Sequence, residues 1–163
     1  MCAKTIPIKQ RNFGQPFVVV GVIIEKDGKF LLIQEGKVDK GKWNIPAGWL
    51  DLNEEIIPGA IRETKEETGL DINITGLLGV YSSSKLVGKN ITHPVRFIFA
   101  AKPLNQKLNY SQDEILDAKW FTYEEIKTMG EKLRSQTIIR QIEDYLAGER
   151  YPLAIIKPHL DRL

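Results

Sequence analysis

GWLDLNEEIIPGAIRETKEETGL, residues 48–70, places Glu63, Glu66 and Glu67 within five positions of one another. On a helix, residues three and four apart are neighbours, so these carboxylates share a face. Like charges at that spacing repel by about 0.2–0.5 kcal/mol per pair on an exposed helix. A cation is the first candidate to offset this. The helix is predicted over residues 55–68: Ile57 and Ile61, and Ile56, Ala60 and Thr64, recur at helical spacing and face a core. Pro58 is tolerated in the first turn, where its missing N–H has no helical partner to lose. Gly69 supplies the left-handed stop.

Working outward, FVVVGVIIE from Phe17 and KFLLIQE from Lys29 flank Asp27-Gly28, the signal of an antiparallel hairpin. A lysine-rich loop, residues 36–42, leads into WNIPAGWL, whose Pro46 and Gly48 suggest a strand with an irregular entry. Residues 71–81, 94–101 and 115–121 are further strands, with a polar SSSKLVGKN loop between the first two. Thr122 and Glu125 form a capping-box pattern. Residues 135–147 make an amphipathic helix with Ile138, Ile142, Tyr145 and Leu146 on one side and Gly148 as its stop. The tail RYPLAIIKPHL, with two prolines, is expected to run extended over the body.

The 163 residues suit one α/β domain with a real core. Hydrophobic residues are 42% and charged residues 27%, ordinary for a globular protein. The net charge of +2 gives no ground for a dominant nucleic-acid or membrane surface, so neither partner is expected. Cys2 is the single cysteine, which excludes an internal disulfide and fits a reducing compartment. The first 14 residues lack an apolar stretch like a signal peptide's, and no apolar run nears the roughly 20 residues of a membrane helix. A cytoplasmic location is expected.

The opening stretch carries more than a charged helix. Gly48, Glu54, Arg62, Glu63, Glu66, Glu67, Gly69 and Leu70 satisfy GX5EX7REUXEEXGU. On these residues the chain resembles the Nudix hydrolase superfamily. One position departs: Thr64 stands where an aliphatic residue is usual, and its hydroxyl is expected to bond back to the Ala60 carbonyl. Glutamates converging from one helix make an oxygen-only cage, which suits Mg²⁺ or Mn²⁺ rather than zinc. Such an ion neutralises phosphate charge and makes a bound water more nucleophilic, so the site points to phosphate esters or anhydrides.

The resemblance implies an α/β/α sandwich with a mixed sheet between helices. It also implies a Nudix domain over residues 15–148, preceded by a segment 1–14 and followed by a tail 149–163 packed on the domain. It assigns Glu63, Glu66 and Glu67 as metal ligands, with a backbone carbonyl near Ala47–Gly48 and a supporting Glu54–Arg62 ion pair. For a base or additional ligand outside the helix, Glu114 of SQDEILDAKWF is favoured over Asp113 and Asp117; the alternative is a surface acid. Trp43 is read as structural. Trp49 either stacks on a substrate ring or serves the core or a lid. Lys37, Lys40 and Lys42 either meet substrate phosphates or line a solvated loop. His93 and His159 receive no role.

WNIPAGWLDLNE, PVRFIFAA and KLRSQTIIRQIEDYLAGERYPL look like the NudJ-type phosphatases, which remove phosphate from nucleoside di- and triphosphates and from a thiamine-precursor pyrophosphate. ADP-ribose or dinucleotide polyphosphate hydrolysis is the alternative within the superfamily. A non-catalytic ligand sensor is the alternative outside enzymes, and loss of motif glutamates would mark it. All are present.

Overall fold

Val18, Val20, Val22 and Ile24 point to one side of a strand, and Val19, Ile23 and their neighbours to the other. The computed structural model, which describes residues 14–87 and 90–158, buries both sides of this run. The strand is β1, Phe17–Lys26; β2, Lys29–Glu35, returns antiparallel to it across Asp27-Gly28, where both residues have positive φ. Positive φ at both central positions matches the right-handed twist of the flanking strands.

WNIPAGWL is not one strand. Trp43–Asn44 (β3) pairs with β2, and Ala47–Trp49 (β4) crosses to pair with β1. Pro46 lies at the changeover, and its carbonyl accepts from Val22 N–H at 3.0 Å. A proline cannot donate to a ladder, so the chain changes partner there.

Helix α1, Ile56–Thr68, follows, with Pro58 in its first turn and Gly69 ending it at φ 75°. The hydroxyls of Thr64 and Thr68 bond back to the carbonyls of Ala60 and Thr64, at 2.9 and 2.6 Å. Gly59, Ala60, Thr64 and Thr68 are buried and Ile56 and Ile57 are partly so, but Ile61 is exposed. The narrow buried stripe is set by small residues that let the helix lie close to the sheet, which turns Ile61 outward.

Strand β5, Ile72–Ser82, and strand β8, Pro94–Pro103, form an antiparallel pair, and β8 runs parallel to β1. The expected loop between them instead folds into a hairpin of β6, Lys85–Val87, and β7, Asn90–Thr92. Strand β9, Ile115–Thr122, pairs with β2. The main sheet runs β3-β2-β1-β8-β5, with β4 on β1 and β9 on β2.

Helix α2, Tyr123–Lys127, opens with both halves of the Thr122–Glu125 capping box in place. Helix α3, Thr137–Leu146, buries Ile138 and Ile142, while Leu146 is exposed, contrary to its expected place on the buried side. Val20, Val22, Phe99 and Ala101 pack with Ala60 of α1 on one face. Ile23, Phe30, Leu32 and Ile98 pack with Ile126, Ile138 and Ile142 on the other. The sheet is therefore the middle layer of an α/β/α sandwich.

After α3 the backbone of Tyr151 exchanges hydrogen bonds with Leu77 of β5, at 2.8 and 3.0 Å, before a turn of 3₁₀ helix over Leu153–Ile155. His159 and the segment before Gly14 lie outside the described residues. No helix among the described residues is long and apolar enough to cross a membrane.

Candidate active site

Strand β4 and helix α1 meet through backbone on one side and carboxylates on the other. The N–H of Ala47 donates to Glu67 Oε2 at 2.8 Å. One residue on, a Cβ at Gly48 would fall 2.0 Å from Glu63 Cδ. Only a residue without a side chain lets that carboxylate lie against the strand. At Trp49 the carbonyl accepts from Arg62 Nη2 at 3.1 Å. Three successive residues thus each register one position of the helix.

Arg62 is the hub. Its guanidinium donates to Glu54 through Nε and Nη2 at 2.6 and 2.8 Å, and through Nη1 to Glu63 at 2.8 Å and Glu66 at 3.2 Å. This paired geometry with Glu54 is the strong, bidentate kind. It holds the Glu54 carboxyl below its ordinary range, and the Arg62 pKa is raised in return. Glu54 also accepts from Asp51 N–H at 3.0 Å, closing the loop that enters α1.

The carboxylates divide by environment. Burial pushes the Glu63 pKa up, opposed by Arg62 and reinforced by Glu66 and Asp51. Glu67 is pushed much further, by burial first and then by the charges of Glu35 and Glu63. Glu66 remains largely exposed. No three His, Cys, Asp or Glu side chains among the described residues converge as a ready-made metal cage. Glu63 and Glu66 are drawn to Arg62, whereas Glu67 turns to the Ala47 amide. What these groups share is oxygen donors and more buried negative charge than one arginine offsets, which is the chemistry a hard divalent cation takes.

The other expected residues lie elsewhere in the arrangement. Glu114 is exposed and paired with Lys37 Nζ at 2.6 Å, while its backbone carbonyl accepts from Gly36 N–H, one residue beyond Glu35. Lys42 is bonded to the Glu131 carbonyl. Trp49 stacks on Phe17, with ring centroids 4.3 Å apart and planes 14° from parallel. Trp43 packs edge-on against Phe121. His93 bonds Ser82 Oγ at 2.8 Å.

Sequence reasoning missed Glu35 and Arg134. Glu35 is 7% exposed at the end of β2, accepting from Asn44 Nδ2 at 2.9 Å and Arg134 Nη1 at 2.7 Å. Arg134 also bonds Asp39 at 3.1 Å, and its charge opposes the upward shift of Glu67. The available signal was a glutamate ending an otherwise buried strand, which needs a partner. Its partner lies 99 positions away.

A family model for the NUDIX domain matches residues 15–142. The chain belongs to the NUDIX domain family. It is a Nudix hydrolase, and its Nudix helix is α1 with the loop that precedes it. Phosphatase NudJ of Escherichia coli strain K12 is 32% identical over 143 residues, covering 87% of this chain and 91% of that protein. A NUDIX hydrolase from Nitrosomonas europaea superposes with a TM-score of 0.79 at 35% identity, over 89% of this chain and 98% of that one. An ADP-ribose pyrophosphatase from Streptococcus suis shares the fold, with a TM-score of 0.62 at 19% identity over 84% and 94% of the two chains.

Proposed function

We propose that this Nudix hydrolase cleaves phosphoanhydride bonds of nucleoside di- and triphosphates or related pyrophosphates, releasing terminal phosphate, with Mg²⁺ as its cofactor and Mn²⁺ as a substitute. The observation that carries the reading is the seating of Glu63 and Glu67 against the Ala47–Gly48 backbone. Glu63, Glu66 and Glu67 would hold the ion, with a carbonyl from Ala47 or Gly48. When bound, the ion neutralises phosphate charge and activates a water as nucleophile. Arg62 has a positioning role: it ties α1 to the loop through Glu54 and to β4 through the Trp49 carbonyl. Glu114 is the proposed base or further ligand, and its exposed pairing with Lys37 leaves it free to exchange partners. The single cysteine fits a cytoplasmic setting.

Terminal cleavage follows the likeness to phosphatase NudJ over most of both chains. The test is incubation of GDP, GTP, ADP-ribose and a thiamine-precursor pyrophosphate with enzyme and Mg²⁺, with products separated by chromatography. Orthophosphate from GDP and GTP, with Glu114→Gln slow in turnover, supports the reading. Clean pyrophosphate from GTP, with GDP inert and Glu114→Gln unaffected, rejects it.

A further inference from the structure

Leu133 and Arg134 extend the sheet past its edge strand. Trp43 of β3 forms an isolated parallel bridge with Leu133, and the Arg134 N–H donates to the Trp43 carbonyl at 2.8 Å. Leu133 is extended, at φ −75° and ψ 141°. Successive extended residues point to opposite faces. Leu133 packs with Ile126, Ile138 and Ile142 on the α3 face, so Arg134 is turned to the α1 face. Glu35 and Asn44 meet it there. Glu35 lies opposite Ile115 of β9 and Asn44 opposite Ile33 of β2, and both isoleucines share a core with Ala60 of α1. Residues directly opposite in a sheet share a face.

A continuous run of contacts joins this corner to the carboxylates of α1. Arg134 Nη1 donates to Glu35 Oε1 at 2.7 Å, and Asn44 Nδ2 donates to the same oxygen at 2.9 Å. Three residues after Asn44, the Ala47 N–H holds Glu67, and Gly48 leaves room for Glu63. The stretch between is short and stiff: Pro46 fixes its own φ, and its carbonyl accepts from Val22. A shift of Asn44 is therefore passed on to Ala47. The charges of Glu35 and Arg134 both act on Glu67, as this placement requires.

We propose that Arg134 is a positioning residue for the hydrolase reaction: through Glu35 and Asn44 it sets the β3–β4 segment on which Glu67 and Glu63 are seated. This rests on the metal-dependent phosphoanhydride reading of the site. Groups that orient metal ligands from outside the coordination sphere are worth roughly 10–100-fold in metal affinity or activity. Position and charge predict opposite signs here. Removing a cation beside carboxylates strengthens their hold on a divalent ion, whereas loosening the segment they rest on weakens it.

The test is Mn²⁺ titration of the full chain by calorimetry, with turnover of a hydrolysed diphosphate at saturating Mn²⁺ measured on the same preparations. Arg134→Met should bind Mn²⁺ at least about tenfold more weakly and lose at least about tenfold in kcat, with KM within about twofold. Arg134→Lys keeps the charge without the planar fork, so it should fall between Arg134→Met and wild type. It carries the test if Arg134→Met does not fold. Asp39→Asn removes the charge at the other Arg134 contact and leaves Glu35 in place, so both measurements should stay within about twofold of wild type. Tighter or unchanged Mn²⁺ binding in the Arg134 variants overturns the assignment. So does a loss confined to KM, a wild type that does not bind Mn²⁺, or an Asp39→Asn as impaired as Arg134→Met. A lowered melting temperature with wild-type affinity and kcat would make Arg134 structural only. If no nucleotide or pyrophosphate is hydrolysed, the phosphoanhydride reading falls, while the Mn²⁺ titration still decides whether Arg134 sets the segment.

Discussion

The Glu63 carboxylate occupies the space a side chain at Gly48 would need: a Cβ there would lie 2.0 Å from the Glu63 carboxyl carbon. The clash is with the far end of a flexible side chain, so Gly48→Ala should be accommodated by moving the carboxylate. Stability should change by less than about 1 kcal/mol, whereas a ligand displaced by about 1 Å costs on the order of 10²-fold in turnover. Thermal melts and kcat of the same preparation check this. A variant that melts at the wild-type temperature and turns over normally would show that Glu63 need not touch the strand.

Glu67→Gln keeps an oxygen to accept from the Ala47 amide and removes one of the charges crowded near Glu35 and Glu63. Metal-free stability should be equal or higher, while turnover falls by roughly 10³-fold or more, since charge stabilisation worth several kcal/mol is lost. Wild-type activity should vanish in EDTA and return with excess Mg²⁺. Undiminished activity of Glu67→Gln, or turnover indifferent to EDTA, would remove Glu67 from the chemistry.

Arg62→Ala leaves Glu54, whose side chain is 13% exposed, without its bidentate partner and frees Glu63. Removing one member of a buried pair costs about 3–5 kcal/mol, against at most about 1 for an exposed one. Arg62 is 24% exposed, so a loss near the lower end, about 3 kcal/mol, is expected by denaturant unfolding, together with reduced kcat. If midpoint and turnover both stay at wild-type values, Arg62 is only a surface charge.

Arg134→Met should destabilise the fold by a similar amount, about 3 kcal/mol, because Glu35 remains buried beside Glu67 with only Asn44 to satisfy it. The double variant Glu35→Gln/Arg134→Met should recover much of that loss. A cycle in which the two changes simply add would mean that the pair is not coupled.

Much of this protein is legible locally. The Asp27-Gly28 hairpin, Pro58 in the first helical turn, the Gly69 stop and the Thr122–Glu125 box depend on groups within a few residues of one another, and each forms as expected. The spacing of Glu54, Arg62, Glu63 and Glu66 likewise needs only a helix and the loop before it to bring them into one network. Tertiary structure decided the rest. Periodicity marks Ile61 and Leu146 as core, but in the packed fold both are exposed. WNIPAGWL is contiguous in sequence, yet it is divided between β2 and β1 because two different strands offer open hydrogen-bonding edges there. Glu35 meets Arg134 across 99 residues. Charge pairing across that separation has no signature in a single sequence, since it exists only after the sheet has set which strands are neighbours.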